Sequence, residues 1–223
     1  METFSTEKEK VKLETGFDRG LDYSDIKKKL GKDFKKKYNQ LDQLEEGCTG
    51  YESKKKILVN QLTYLLLALI QLRNGSRIVE AVWCFRQFIK DRDFKKTILV
   101  KIAKSESMKY DRRTKEKYMS KIRYRKMVFP ISWINLDKDT YDNIEKYSDL
   151  ITDFRLKKRV LDYLLIYHDC NTHSLRYCFI NYMINEKKVP LNDVAKTVGH
   201  VDLSMLTRYT QAKNIDVVLS LDG

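Results

Sequence analysis

Residues 54–72 constrain this chain more than any other stretch. They run through Leu62 to Ile70 (LTYLLLALI) without a charge, yet the apolar run falls well short of the ~20 residues a membrane-spanning helix needs. A mostly apolar helix of this length has to be buried in a protein core. Asn74-Gly75 breaks it. A second helix is expected over roughly 77–90, with Val79, Val82, Trp83 and Phe85 among its apolar positions.

The pattern then changes. Thr97 to Ala103 (TILVKIA) is rich in β-branched residues and reads as a strand. A very basic stretch, 104–126, separates it from a second expected strand, Met127 to Trp133 (MVFPISW). From 138 onward the pattern is helical in several short pieces, with Pro190 suited to a first turn and Gly199 to a helix C-terminus. The fold class expected is therefore mainly α with a small antiparallel β-sheet (α+β).

Charge narrows the partners. Lys and Arg number 44 against 31 Asp and Glu, a formal net charge of +13. Such an excess favours a polyanion, nucleic acid or an anionic membrane surface. No spanning segment supports the membrane, and METFSTEKEK is too charged for a signal peptide. Cys48, Cys84, Cys170 and Cys178 show no CxxC spacing. Reduced thiols in a cytoplasmic protein are expected, with no metal site and no cofactor. Residues 1 to about 52 are dense in Lys, Glu and Asp, with runs at Lys27-Lys28-Lys29 and Lys35-Lys36-Lys37. They read as a solvated helix or a flexible basic arm rather than a packed domain.

Two of the three histidines lie in the informative C-terminal third. In NTHSLRYCF, His173 and Arg176 stand three apart, on one face if the segment is helical. In GHVDLSMLTRYT, His200 and Tyr209 are nine apart. Each piece alone says little; their order along the chain says more. Across roughly residues 55–212 the chain resembles the tyrosine recombinase (phage integrase) family. Gly75-Ser76-Arg77-Ile78-Val79-Glu80 matches that family's Gly-x-Arg-x-x-Glu segment. TILVKIAKSE puts Lys104 at its hairpin lysine. His173-Ser174-Leu175-Arg176-Tyr177 matches its His-x-Leu-Arg-His box, and Gly199-His200 with Tyr209 matches its final box. Tyr177 departs from the pattern at a position outside the catalytic set. The crowded hairpin leaves Lys109, Lys121 and Lys126 as alternatives to Lys104.

The resemblance implies a catalytic domain over 54–211, an arm or truncated DNA-clamping region over 1–53, and an apolar tail over 212–223. It implies attack by Tyr209 on a DNA phosphodiester, giving a 3′-phosphotyrosine. Arginine forks suit the crowded charge on the phosphate, so Arg77 and Arg176 are assigned to it. His173 would accept the tyrosine proton or contact the phosphate, and His200 would donate to a phosphate oxygen. Lys104 would protonate the leaving 5′-oxygen, and Glu80 would orient Arg77. Lys115, Lys117, Lys121, Arg123, Arg125 and Lys126 are expected along double-stranded DNA, supplying affinity without sequence reading. Self-association on DNA is expected, with the tail (Ile215, Val217, Val218, Leu219, Leu221) either folding back or docking on a neighbour. By family analogy the setting is the cytoplasm of a prokaryotic host, at the nucleoid, with a virus or plasmid as source. Two alternatives stay open: strand nicking and rejoining like a type IB topoisomerase, and a non-catalytic DNA-binding derivative.

Overall fold

The computed structural model describes residues 21–91, 97–103, 108–111, 113–134, 142, 144, 155–199 and 206. At its centre is α2 (Tyr51–Asn74), whose Leu62, Leu65, Leu66, Leu67, Leu69, Ile70 and Leu72 have no exposed surface. It packs against α1 (Tyr23–Asp42), α3 (Ile78–Asp91), α4 (Leu156–His168) and α5 (Thr172–Asn181). A helix surrounded by other helices has no polar face to spare, which is why its sequence is apolar over so many consecutive positions.

The stretch expected to be a solvated arm contains α1, and α1 is part of the core. Tyr23, Ile26, Leu30, Phe34 and Leu41 are buried against α2. They recur at helical spacing, so one narrow apolar stripe faces inward while the intervening lysines face out. Lysine density hid the stripe. Asp22 caps the helix, accepting from Asp25 N–H at 2.7 Å. A half-buried polar link joins α1 to α4: Asp33 Oδ2 accepts from the Tyr163 hydroxyl at 2.7 Å and lies 3.1 Å from His168 Nε2.

Among the described residues, four short strands form two antiparallel pairs. β1 (Ile98–Lys101) pairs with β4 (Tyr124–Met127), and β2 (Met108–Tyr110) with β3 (Lys117–Met119). The second strand therefore lies earlier than the expected 127–133. Pro130, which has no N–H to continue a ladder, leads into a 3-10 turn at Ile131–Trp133. The basic connection holds a hairpin of its own, closed where Asp111 N–H donates to the Glu116 carbonyl at 2.9 Å.

After α5 the backbone widens into a π turn at Tyr182–Glu186 and then enters α6 (Leu191–Val198). Pro190 occupies the N-cap of α6, one position ahead of the expected first turn, and Gly199 ends the helix with φ 69°. Leu206 is fully buried in the same core.

Candidate active site

Two helices end against each other. α2 stops at Asn74 and α6 at Val198, each followed by a glycine in the left-handed region, Gly75 at φ 54° and Gly199 at φ 69°. Helix C-termini leave carbonyl oxygens without intrahelical partners and carry partial negative charge. Two arginines take up these oxygens in parallel. Arg125 Nη1 donates to Asn74 O at 3.1 Å and Thr197 O at 2.7 Å. Arg176 Nη1 donates to Gly75 O at 2.6 Å, and its Nη2 to Val198 O at 2.9 Å. The close approach depends on both glycines. A Cβ at Gly75 would collide with the Phe179 ring, and one at Gly199 would lie 2.9 Å from Ile102 Cδ1.

Glu80 sits between the arginines with its side chain fully buried. Its Oε1 accepts from Arg77 Nη1 at 3.2 Å and from Ala103 N–H at 3.0 Å. Its Oε2 accepts from Arg125 Nη2 at 3.1 Å and from the Arg77 backbone N–H at 3.1 Å. Arg77 Nη1 also donates to Ala103 O at 3.3 Å. Ala103, the residue before Lys104, is thus held through both its N–H and its carbonyl.

The charges do not balance. Three guanidinium groups face one carboxylate among the described residues. Burial, and then the charge of Arg77, push Arg176 down to about 9 against the counteracting pull of Glu80. Burial likewise lowers Arg125, with Glu80 opposing. At neutral pH Arg176 stays charged, so the cluster carries an excess of positive charge at low dielectric. Carbonyls occupy two of the five N–H donors of Arg176. Chemically this is a site for an anion with several oxygens.

No family profile matches the chain. A protein of Sputnik virophage named "Putative integrase V10" is 43% identical over 204 residues, covering 91% of this chain and 88% of its own length. The chain belongs to the integrase family. "Putative integrase ORF241" of Acidianus two-tailed virus is 29% identical over 207 residues, 92% of this chain and 68% of that protein. A solved structure of the XerH site-specific recombinase bound to palindromic difH substrate aligns over 90% of this chain, with a TM-score of 0.49 and 16% identity. This chain spans only about half of that one, 52%.

Of the site residues expected for an integrase, the fold brings together Arg77, Glu80 and Arg176. His173 lies one turn before Arg176 on α5 but is exposed, its ring 6.0 Å from that of Tyr177. Asn171 fixes that first turn, accepting from the His173 and Ser174 N–H groups at 2.8 and 2.9 Å. Gln71 Nε2 ties the turn to α2 through Thr172 O at 2.6 Å. Lys104, His200 and Tyr209 lie outside the described residues, as do residues 1–20 and the tail.

One assignment is corrected. Arg125, expected to face DNA, is buried in the cluster with 3% of its side chain exposed. Strand alternation is the reason. Along β4, Tyr124 and Lys126 face solvent while Arg125 and Met127 face the core. Lys115, Lys117, Lys121 and Lys126 are exposed and Arg123 partly so. The signal for Arg125 was in the sequence, as the inward register of a strand, but a strand placed three residues too late concealed it.

Proposed function

We propose that this integrase cuts and rejoins DNA by tyrosine-dependent strand transfer. The observation that carries the reading is the cationic cluster on which the motif segments converge: Gly75 to Glu80, Ala103 beside Lys104, the helix of His173 and Arg176, and Thr197 to Gly199 beside His200.

The Tyr209 oxygen attacks the scissile phosphorus, a new P–O bond forms, and the bond to the 5′-oxygen breaks. Arg77 and Arg176 neutralise the charge gathering on the non-bridging oxygens, preorganised before the substrate arrives. His173 takes the phenolic proton, needed because a phenol near 10 is a poor nucleophile at neutral pH. His200 donates to a phosphate oxygen, and Lys104 protonates the departing 5′-oxygen. Reversal by a 5′-hydroxyl reseals the strand, since the phosphotyrosine conserves the bond energy and no ATP is consumed. Lys115, Lys117, Lys121, Arg123 and Lys126 hold the duplex through its phosphates. Protomers associate on DNA, with the 212–223 tail contributing, at the nucleoid in the host cytoplasm.

The test uses nicked suicide duplexes tiled across the DNA flanking the gene. Denaturing gels should show a covalent protein–DNA adduct that Tyr209→Phe abolishes while gel-shift binding survives. An adduct that persists in that variant sinks the nucleophile assignment. Junctions recovered from paired sites indicate recombination; supercoil relaxation without junctions indicates topoisomerase-like action.

A further inference from the structure

Arg125 occupies a position with more consequences than a buried ion pair. Its Nη2 holds Glu80 Oε2 at 3.1 Å, which leaves Oε1 aimed at Arg77 Nη1 and the Ala103 N–H. Its Nη1 holds Thr197 O at 2.7 Å, two residues before Gly199 and three before His200, and Asn74 O at 3.1 Å, three before Arg77. One planar fork therefore touches the supports of three motif segments. Val100, opposite Arg125 on β1, and Met127, whose sulfur lies 3.6 Å from Nη2, enclose it in the core.

We infer that Arg125 is a positioning residue for strand transfer: it sets the orientation of Glu80, and through it Arg77, and fixes the turn that leads into His200. The inference rests on the reading above. A buried carboxylate with both oxygens engaged can rotate only by breaking a charge-assisted hydrogen bond, so Arg77 is presented in one geometry. Without Arg125 the Oε2 oxygen keeps only the Arg77 backbone N–H, and Thr197 O loses its guanidinium donor, so both are held less firmly. Enclosed in the core, Arg125 acts through Arg77 and the 197–199 turn. A lysine keeps the charge but has no fork to span Glu80 and Thr197 O together.

The test measures single-turnover adduct formation at saturating nicked duplex, beside duplex affinity and thermal stability, for the full chain, Arg125→Lys and Arg125→Ala. Arg125→Lys is expected to fold, to bind duplex within about threefold of the parent, and to form adduct at least 30-fold more slowly. Millimolar guanidinium should restore part of the rate to Arg125→Ala and none to Arg77→Ala at the same concentration. A purely structural role lowers stability but leaves the rate per folded molecule unchanged and insensitive to guanidinium; that result overturns the inference. Should Arg125→Ala not fold, the lysine variant decides: a parental rate overturns the inference and a slow rate with intact binding supports it. If the parent chain forms no adduct on any duplex, the strand-transfer reading fails and takes this role with it. A parent that reacts beside unimpaired Arg125 variants removes this role alone.

Discussion

The cluster around Glu80 and the exposed strands β2 and β3 are both basic, but they handle charge in opposite ways. Arg125 and Arg176 are withdrawn from water and find their partners in a carboxylate and four main-chain oxygens. Burying a guanidinium is costly, and the negative ends of two helices offset that cost only in part. Lys115, Lys117 and Lys121 stay hydrated and keep their full rotamer freedom. The first region is fixed in place and under electrostatic strain from its unbalanced guanidinium charge. The second is hydrated and adjustable in its side chains, although Lys115 holds a left-handed backbone at φ 58°. Geometry for chemistry needs the former; holding a flexible, sequence-independent backbone needs only the latter.

The comparison breaks most visibly at Arg176. Arg176→Ala should slow adduct formation by about 10²- to 10³-fold, the usual loss when a preorganised donor leaves an active site. Lys117→Ala should leave the chemical rate at saturating DNA unaltered. Equal losses in single-turnover assays would erase the distinction between the two regions.

Next in size are the glycines that let the helix ends approach. Gly75→Ala should destabilise by about 2–4 kcal/mol, because it combines a left-handed backbone with a clash against the Phe179 ring. Gly199→Ala meets the Ile102 side chain at 2.9–3.1 Å, a smaller overlap than that at Gly75, and should cost about half as much. Urea titrations measure both, and a harmless Gly75→Ala would contradict the packing described.

Sulfate probes the strain directly. At constant ionic strength it should raise the melting temperature by a few degrees, roughly 1 kcal/mol of linkage, and Arg77→Ala should remove the gain. The effect has a pH limit. Burial pushes Arg176 in the folded chain down to about 9, well below its ordinary value. Across that interval the unfolded chain holds the proton more firmly, so this group adds stability as pH rises from about 9. Loss of its charge removes the anion's partner, and the sulfate gain should fade above pH 9. A gain that persists at pH 10.5 would place the anion elsewhere.

The smallest effects belong to the solvated surface. Lys126→Ala, exposed beside buried Arg125 on β4, should lower the slope of log affinity against log salt by about one and leave the melting temperature unchanged. A stability loss would show that Lys126 is not the hydrated neighbour its register makes it.

Much of this was legible before any coordinates. The uncharged run Leu62 to Ile70 could only be a central helix, because no other placement keeps so much apolar surface from water. Arg77, Glu80, His173 and Arg176 were picked out by the resemblance of their segments to the tyrosine recombinase boxes, a local pattern that survives in one dimension. Gly75 and Gly199 were visible as helix stops, since a left-handed residue ends a helix whatever surrounds it. The packing of α1 was harder to see: its apolar stripe is set among lysines that dominate any count. What only the tertiary structure decided is that the ends of α2 and α6, more than a hundred residues apart in sequence, meet over one pair of arginines. Arg125 illustrates why. Whether a basic residue in a basic stretch faces solvent or core depends on a strand register of period two, and a shift of one residue exchanges the faces. Composition cannot carry that information; the pairing of β4 with β1, and the helix ends waiting beneath it, supply it.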